Sequence, residues 1–330
     1  MFSPIVITTI NEKTEGICRF EQITPCPIII VGDKKTPRYE TTDRIEYLGV
    51  DEQASLGFSL ADRLPFNHYC RKNIGYLHAL RKGAQTVYDT DDDNLPYDDW
   101  SFDDFFASSV YSEAQKYTNV YRRFTDAFVW PRGFPLDEIR RGQNESGERP
   151  ERVEIGVWQG LADGDPDVDA IYRLVLAEPV TFDRKPPVAL PRDTYCPFNS
   201  QNTMWRREAT PYLYLPVTVS FRFTDILRGY VAQRLMWEQG LHLGFTRATV
   251  YQNRNEHDLM RDFTDEIECY RDVRGIVDLL DAMQLTGSPT ENLLKVYTGL
   301  IEANYVHRDE LSFVSAWIDD LHTITRQQDA

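Results

Sequence analysis

Short, continuous apolar runs punctuate the first third of the chain, separated by segments whose apolar positions recur at helical spacing. Residues 4–10 and 27–31 are apolar almost throughout, and 85–89 form a third short run. Runs of this kind predict strands of a parallel sheet covered on both faces. Before the third run, Ile74, Leu77 and Leu80 recur at helical spacing, Tyr76 and Ala84 extend the apolar side, and Gly83 stands where a helix would stop. Residues 225–237 repeat a helical pattern through Ile226, Tyr230, Val231, Leu235 and Met236, and 248–252 read as a strand. Two further stripes, Ile276/Leu279/Leu280/Met283 and Leu311/Val314/Trp317/Ile318/Leu321, predict helices near the C-terminal end.

The expected architecture is therefore α/β, a mostly parallel, Rossmann-like sheet flanked by helices. A main domain is expected over residues 1–270 and a helical extension over 271–330. The middle of the chain, 131–200, is rich in Pro, Gly, Arg and Asp, and its polar stretch 140–152 predicts an exposed loop. In such sheets ligands bind beyond the carboxyl ends of the strands. Asn11, Asp33 and Asp91 all come out at those ends.

The third run ends in Val-Tyr-Asp-Thr-Asp-Asp-Asp-Asn, residues 87–94. Asp89, Asp91, Asp92 and Asp93 repel one another unless something compensates them. A hard divalent cation, Mg²⁺ or Mn²⁺, takes oxygen ligands and shares its remaining positions with a diphosphate. A solvated acidic turn would carry the same letters. Just upstream, Arg71 and Lys72 sit where the 71–84 helix would begin, a place where dipole and cations favour phosphate. An ordinary solvated basic face is the equal alternative.

Several longer motifs resemble one family. Thr8-Thr9-Ile10-Asn11, Val31-Gly32-Asp33-Lys34-Lys35-Thr36-Pro37, Arg71-Lys72-Asn73-Ile74-Gly75-Tyr76 and Asp91-Asp92-Asp93-Asn94 are similar to segments of the STELLO glycosyltransferase-like proteins. The likeness continues through Trp130-Pro131-Arg132-Gly133-Phe134-Pro135, Gly156-Val157-Trp158-Gln159-Gly160 and Phe198-Asn199-Ser200-Gln201-Asn202-Thr203. It reaches Asp225-Ile226-Leu227-Arg228-Gly229-Tyr230 and Asn253-Arg254-Asn255-Glu256-His257-Asp258, so that it spans roughly residues 4–270 in order. That family is related to the plant reversibly glycosylated polypeptides, which are UDP-arabinopyranose mutases.

The resemblance implies a GT-A-like fold, a nucleoside diphosphate sugar (UDP-sugar) ligand and Mn²⁺ or Mg²⁺. It makes Asp91 and Asp93 the metal pair, places Asp92 on the sugar or ribose side, and gives Asp33 the base-reading position. Thr9 and Asn11 lie where the first strand meets the nucleoside, and Arg132 matches the arginine that the mutases glycosylate. His257 stands where a third metal ligand is often found, imidazole suiting Mn²⁺ better than Mg²⁺, and Arg254 could reach the same diphosphate. Asp225, at a predicted helix start, reads either as an N-cap or as the base that takes the acceptor's proton. The leading expectation is a metal-dependent transferase moving a sugar to a hydroxyl acceptor. A mutase acting through Arg132 and a non-catalytic assembly protein that keeps the fold are the alternatives.

Composition narrows the partners. Thirty-six basic against fifty-two acidic residues give a net charge of −16, a field that repels nucleic acid and anionic membrane. An anionic nucleotide must then be met by local cations. The five cysteines are scattered, with no Cys-x-x-Cys pair, so neither a zinc site nor a disulfide framework is indicated. No run is long and apolar enough to span a bilayer, and no signal pattern opens the chain. The plant family members' membrane-anchored N-terminal region has no counterpart here, and the expected location is cytoplasmic.

Overall fold

The computed structural model describes residues 2–113, 115–141, 147–252 and 258–329. Its strands are β1 (Ile5–Thr8), β2 (Ile28–Val31), β3 (Ile45–Leu48), β4 (Thr86–Thr90), β5 (Asn94–Pro96), β6 (Phe106–Ser112), β7 (Gly147–Gly164), β8 (Val188–Ala189), β9 (Asn202–Arg206) and β10 (Leu241–Gln252). They join in one sheet of order β3-β2-β1-β4-β9-β7-β6-β8-β10-β5, with β7 also paired to β10.

The first four strands are the parallel, doubly covered unit that the apolar runs predict. Strands β3, β2, β1 and β4 pair in parallel. Alternate residues of β1 and β2 serve the two faces. Val6, Ile29 and Val31 join Ile74 and Leu77 of helix Lys72–Arg81 in the main core. Ile5, Ile7, Ile28 and Ile30 pack with Ile17 and Phe20 of helix Glu15–Ile23. Gly75 lets the former helix lie against the sheet, since a Cβ there would come within 2.5 Å of Val31 and 2.7 Å of Val6. The helix stops as its sequence predicts, with Gly83 at φ +82° and Ala84 N–H bonding to the Ala79 carbonyl.

Beyond β4 the expectation of a mostly parallel sheet is overturned: the sheet is mixed. Strand β9 lies antiparallel between β4 and β7, and β6–β7, β10–β5 and β10–β8 are antiparallel as well. The predicted loop over 140–152 is also corrected, because residues 147–152 open the long strand β7 and pair with β6. Their side chains are exposed, so the strand's outer end looks polar in sequence while its inner end runs through the core.

The C-terminal helices Val273–Ala282, Pro289–Glu302 and Glu310–Gln328 share one hydrophobic cluster with the sheet's helices. Two of their buried acids hold distant backbone. Glu310 accepts from Val217 N (3.0 Å) and Thr218 N (2.8 Å), and Asp320 accepts from Ser59 N (2.8 Å) and Leu60 N (2.9 Å). Among the described residues no helix is long and apolar enough to cross a membrane.

Candidate active site

A cleft of about 370 Å³ opens at the carboxyl ends of β1, β2 and β4, and is closed on its other side by the segment before β9 and the start of helix Thr224–Trp237. Its walls bring together Thr9, Asn11, Asp33, Asp91, Asp92, Asp93, Arg132 and Asp225. Arg254 and His257 lie outside the described residues.

The acidic loop is shaped by the first helix. Gly16 packs so tightly on it that a Cβ would come within 2.4 Å of the Asn94 carbonyl oxygen and 2.9 Å of that of Asp92. The Thr14 hydroxyl donates to the same Asp92 carbonyl. On one side of the loop, Asp92 Oδ2 accepts from Thr9 Oγ1 and from Asn11 Nδ2 (3.0 Å). Asp33 ends β2 nearby, its carboxylate accepting from Lys34 N (2.7 Å) and His68 N (3.3 Å).

The four acids of the knot have separate fates. Asp89 is fully buried and belongs to the interior, between Lys72 Nζ (2.6 Å) and Arg228 Nη1 (3.0 Å). Asp91 Oδ1 accepts from Tyr69 OH (3.1 Å) and Lys72 Nζ (3.4 Å), while 31 % of its side chain remains open to the cleft. Burial of its carboxyl, opposed by Lys72 and reinforced by Asp93 and Asp89, pushes its pKa up to about 7. Asp93 Oδ2 accepts from Gln252 Nε2 (3.0 Å). Asp91 and Asp93 thus offer an all-oxygen donor set facing one space, which suits a hard cation. Among the described residues no three His, Cys, Asp or Glu side chains group to enclose a metal. An ion here would take the rest of its shell from ligand and water.

Arg71 and Lys72 are not a free phosphate site, and that expectation is corrected. The Arg71 guanidinium is buried, with Nε and Nη2 on Gln53 Oε1 (2.9 and 2.6 Å) and Nη1 on the Leu64 carbonyl (3.1 Å). Lys72 is wholly buried on Asp89, Asp91 and the Thr90 carbonyl (2.7 Å). Both cations are internal counter-charges instead of a solvated pair. Lys72 still acts on the site by orienting Asp91.

The far wall is an ion cluster. Arg132 holds Asp167 through Nε (2.8 Å) and Nη2 (2.9 Å), Asp225 through Nη2 (3.0 Å) and Nη1 (3.2 Å), and the Arg222 carbonyl through Nη1. Burial opposes its charge, but Asp167 and Asp225 overcome that and raise its pKa further above the ordinary value. Burial would likewise lift the Asp167 carboxyl, yet Arg132 holds it well below the usual range. Asp225 Oδ2 also accepts from Ser200 N and Ser200 Oγ, both at 3.3 Å. It does not cap its helix: Phe223 is the N-cap and no side-chain cap bond forms, so the capping role is set aside. A continuous path runs Asp225–Ser200–Tyr69–Asp91, with Ser200 Oγ and Tyr69 OH 2.5 Å apart.

Sequence reasoning missed Asp167, Tyr69, Asn199 and Gln252, which all line the cleft. Asp167 had a signal: Asp163, Asp165, Asp167 and Asp169 alternate at the end of β7, a second acidic run as regular as the first.

Residues 222–328 match the family model described as STELLO glycosyltransferases. The matched segment begins at Arg222 and includes Asp225 and the C-terminal helices. Two Arabidopsis thaliana proteins, "Probable glycosyltransferase STELLO1" and "Probable glycosyltransferase STELLO2", are each 30 % identical over 348 aligned residues, covering 98 % of this chain. The chain spans 45 % of the length of each of these STELLO proteins. The similarity therefore takes in both walls of the cleft, as the motif resemblance anticipated.

Proposed function

We propose that this protein is a metal-dependent glycosyltransferase that moves a sugar from a nucleoside diphosphate sugar, a UDP-sugar, to a hydroxyl acceptor. The observation that carries the reading is the meeting of Thr9, Asn11, Asp33 and Asp91–Asp93 in one cleft at the ends of three parallel strands. The similarity to proteins named as probable glycosyltransferases supports it.

In this reading Asp33, Thr9 and Asn11 receive the nucleoside, and Asp91 and Asp93 hold Mn²⁺ or Mg²⁺. The ion would supply positive charge against the leaving diphosphate. It is needed because the described cleft lining holds Asp33, Asp91, Asp92, Asp93, Asp167 and Asp225 against Lys35, Arg132 and Arg222. Asp225 takes the acceptor's proton, kept in place by Arg132 and Ser200. A mutase would need Arg132 as a nucleophile. Its five N–H groups are all engaged as donors and its proton is held tightly, which favours the transferase.

The test is calorimetry of UDP with and without Mn²⁺, followed by a screen of UDP-sugars for hydrolysis. The reading expects Mn²⁺-dependent UDP binding and slow release of UDP from at least one sugar donor. Equal UDP affinity in Mn²⁺ and in EDTA would remove the metal from the proposal.

A further inference from the structure

Phe221 is a large apolar side chain 56 % exposed at the cleft wall. The backbone that carries it is held firmly on both sides. Ser220 N donates to Glu268 (2.8 Å) and Ser220 Oγ to the Asp265 carbonyl (2.5 Å). Phe223 N closes a turn onto the Ser220 carbonyl (3.0 Å), and the Arg222 carbonyl accepts from Arg132. Upstream, Glu310 fixes Val217 and Thr218. The turn thus fixes the backbone that carries the ring at the cleft, where the ring is in edge contact with Tyr69 at 5.6 Å between centroids.

Its ring contact ties it, through Tyr69, to the Asp225 wall. Tyr69 donates to Asp91 and meets Ser200, which leads to Asp225. Phe221 is therefore linked to the Asp225 wall, whereas Asp33, Thr9 and Asn11 belong to the β1–β2 side with Asp92. The same cleft lining holds carboxylates and amides, Asp167, Asn199, Gln201 and Asp225, beside Arg132 and Arg222. Groups of that kind recognise hydroxyls, and an aromatic face recognises the C–H side of a pyranose. An acidic partner would meet Asp167 and Asp225 with Arg132 already committed to both, and Arg222 bound to Glu266 through Nε (2.6 Å) with its unpartnered Nη2 buried.

We propose that Phe221 is the stacking platform of the acceptor subsite, and that the acceptor ring it takes is an uncharged, polyhydroxylated pyranose. This rests on the transferase reading above and adds the acceptor's chemical class. The experiment is saturation-transfer NMR on the full chain with UDP and Mn²⁺, using methyl β-glucopyranoside, methyl β-galactopyranoside and methyl β-glucuronide as probes. UDP affinity is measured on the same samples.

The expected result is saturation transfer to at least one neutral glycoside and little to the glucuronide. Phe221→Ala should weaken that glycoside about tenfold, a loss of the size an aromatic contact supplies. Phe221→Tyr should restore it, with UDP affinity unchanged in both variants. Three results overturn the proposal: stronger binding of the glucuronide, no neutral glycoside bound while UDP binds, or a UDP affinity that falls in Phe221→Ala. The last would make Phe221 a nucleobase platform. Failure of UDP to bind the wild-type chain would instead remove the transferase reading on which the subsite depends.

Discussion

Arg132 and Asp225 lie 93 residues apart and meet through Nη2 and Oδ2 at 3.0 Å, while the same guanidinium grips Asp167 through its other edge. One planar cation thus fixes two carboxylates at the cleft wall, one from the end of β7 and one from the helix that follows β9. A lysine could not do this, since its ammonium lacks the fork that engages both partners side by side.

Arg132→Lys should accordingly leave one carboxylate poorly met. Breaking a buried pair costs about 3–5 kcal/mol when a partner is removed, and a lysine that keeps one contact should cost less than that. Thermal unfolding should show a clear fall in melting temperature. An unchanged melting temperature would mean that the cluster is far more hydrated than its burial indicates.

Asp225→Asn tests the proton acceptor. The amide oxygen can still accept from Arg132 or Ser200, so the wall should stay folded and UDP should bind within about twofold. Transfer should drop by at least about a hundredfold, the size of a lost general base. Wild-type turnover in this variant would leave Asp225 a purely electrostatic partner of Arg132.

Gly16→Ala reaches the acidic loop without touching any acid. Its Cβ would overlap the Asn94 and Asp92 carbonyls, both backbone atoms that cannot swing aside. Mn²⁺-dependent UDP affinity should fall about tenfold or more, because small misplacements of positioned groups are costly. Retained affinity would show that the loop can slide outward as a unit.

Asp169 gives a pH signature. It is buried, accepting from Trp130 Nε1 (2.6 Å) and Tyr172 N (2.8 Å). Burial pushes its carboxyl up to about 6, the Tyr172 and Trp130 bonds pull it partly back, and Glu266 adds to the rise. The folded value lies above the unfolded one, near 3.9. The folded chain therefore keeps a proton that the unfolded chain has released. That contribution to stability is fully present below about pH 4 and is lost as pH rises through about 6. Asp169→Asn removes the titration, so its stability relative to wild type should climb between pH 4 and 7 in parallel denaturant titrations. A pH-independent difference would place Asp169 in a more hydrated setting.

Much of the β1–β2 side of the cleft was legible because short, continuous apolar runs between helical stretches read as buried strands, and the residues just past the end of such a strand in a parallel sheet line the cleft. The helix at 72–81 and its stop at Gly83 were equally plain. Arg71 and Lys72 were misjudged because two adjacent cations ordinarily stay in water. Here Gln53, from a helix with little apolar signal, and Asp89, one of the knot's own acids, draw them inside. Strand β7 was hidden by its exposed, charged outer end, where Pro150 sits opposite Ser109 of β6 beside a shift in the register of the ladder. The far wall was only half visible. Asp225 and Arg132 stood in motifs, but Asp167, the second carboxylate that Arg132 holds, lay in a region read as irregular.

The buried carboxylate of Glu310 has a practical meaning for dissecting this chain. It terminates the backbone N–H groups of Val217 and Thr218 and the hydroxyl of Tyr214, just before the turn that carries Phe221 and Arg222. A fragment ended ahead of residue 310 would leave those donors stranded in an apolar setting, and the wall bearing Asp225 would lose its buttress. The last helix, remote from the acidic loop in sequence, is thus a foundation of the cleft and not a detachable tail.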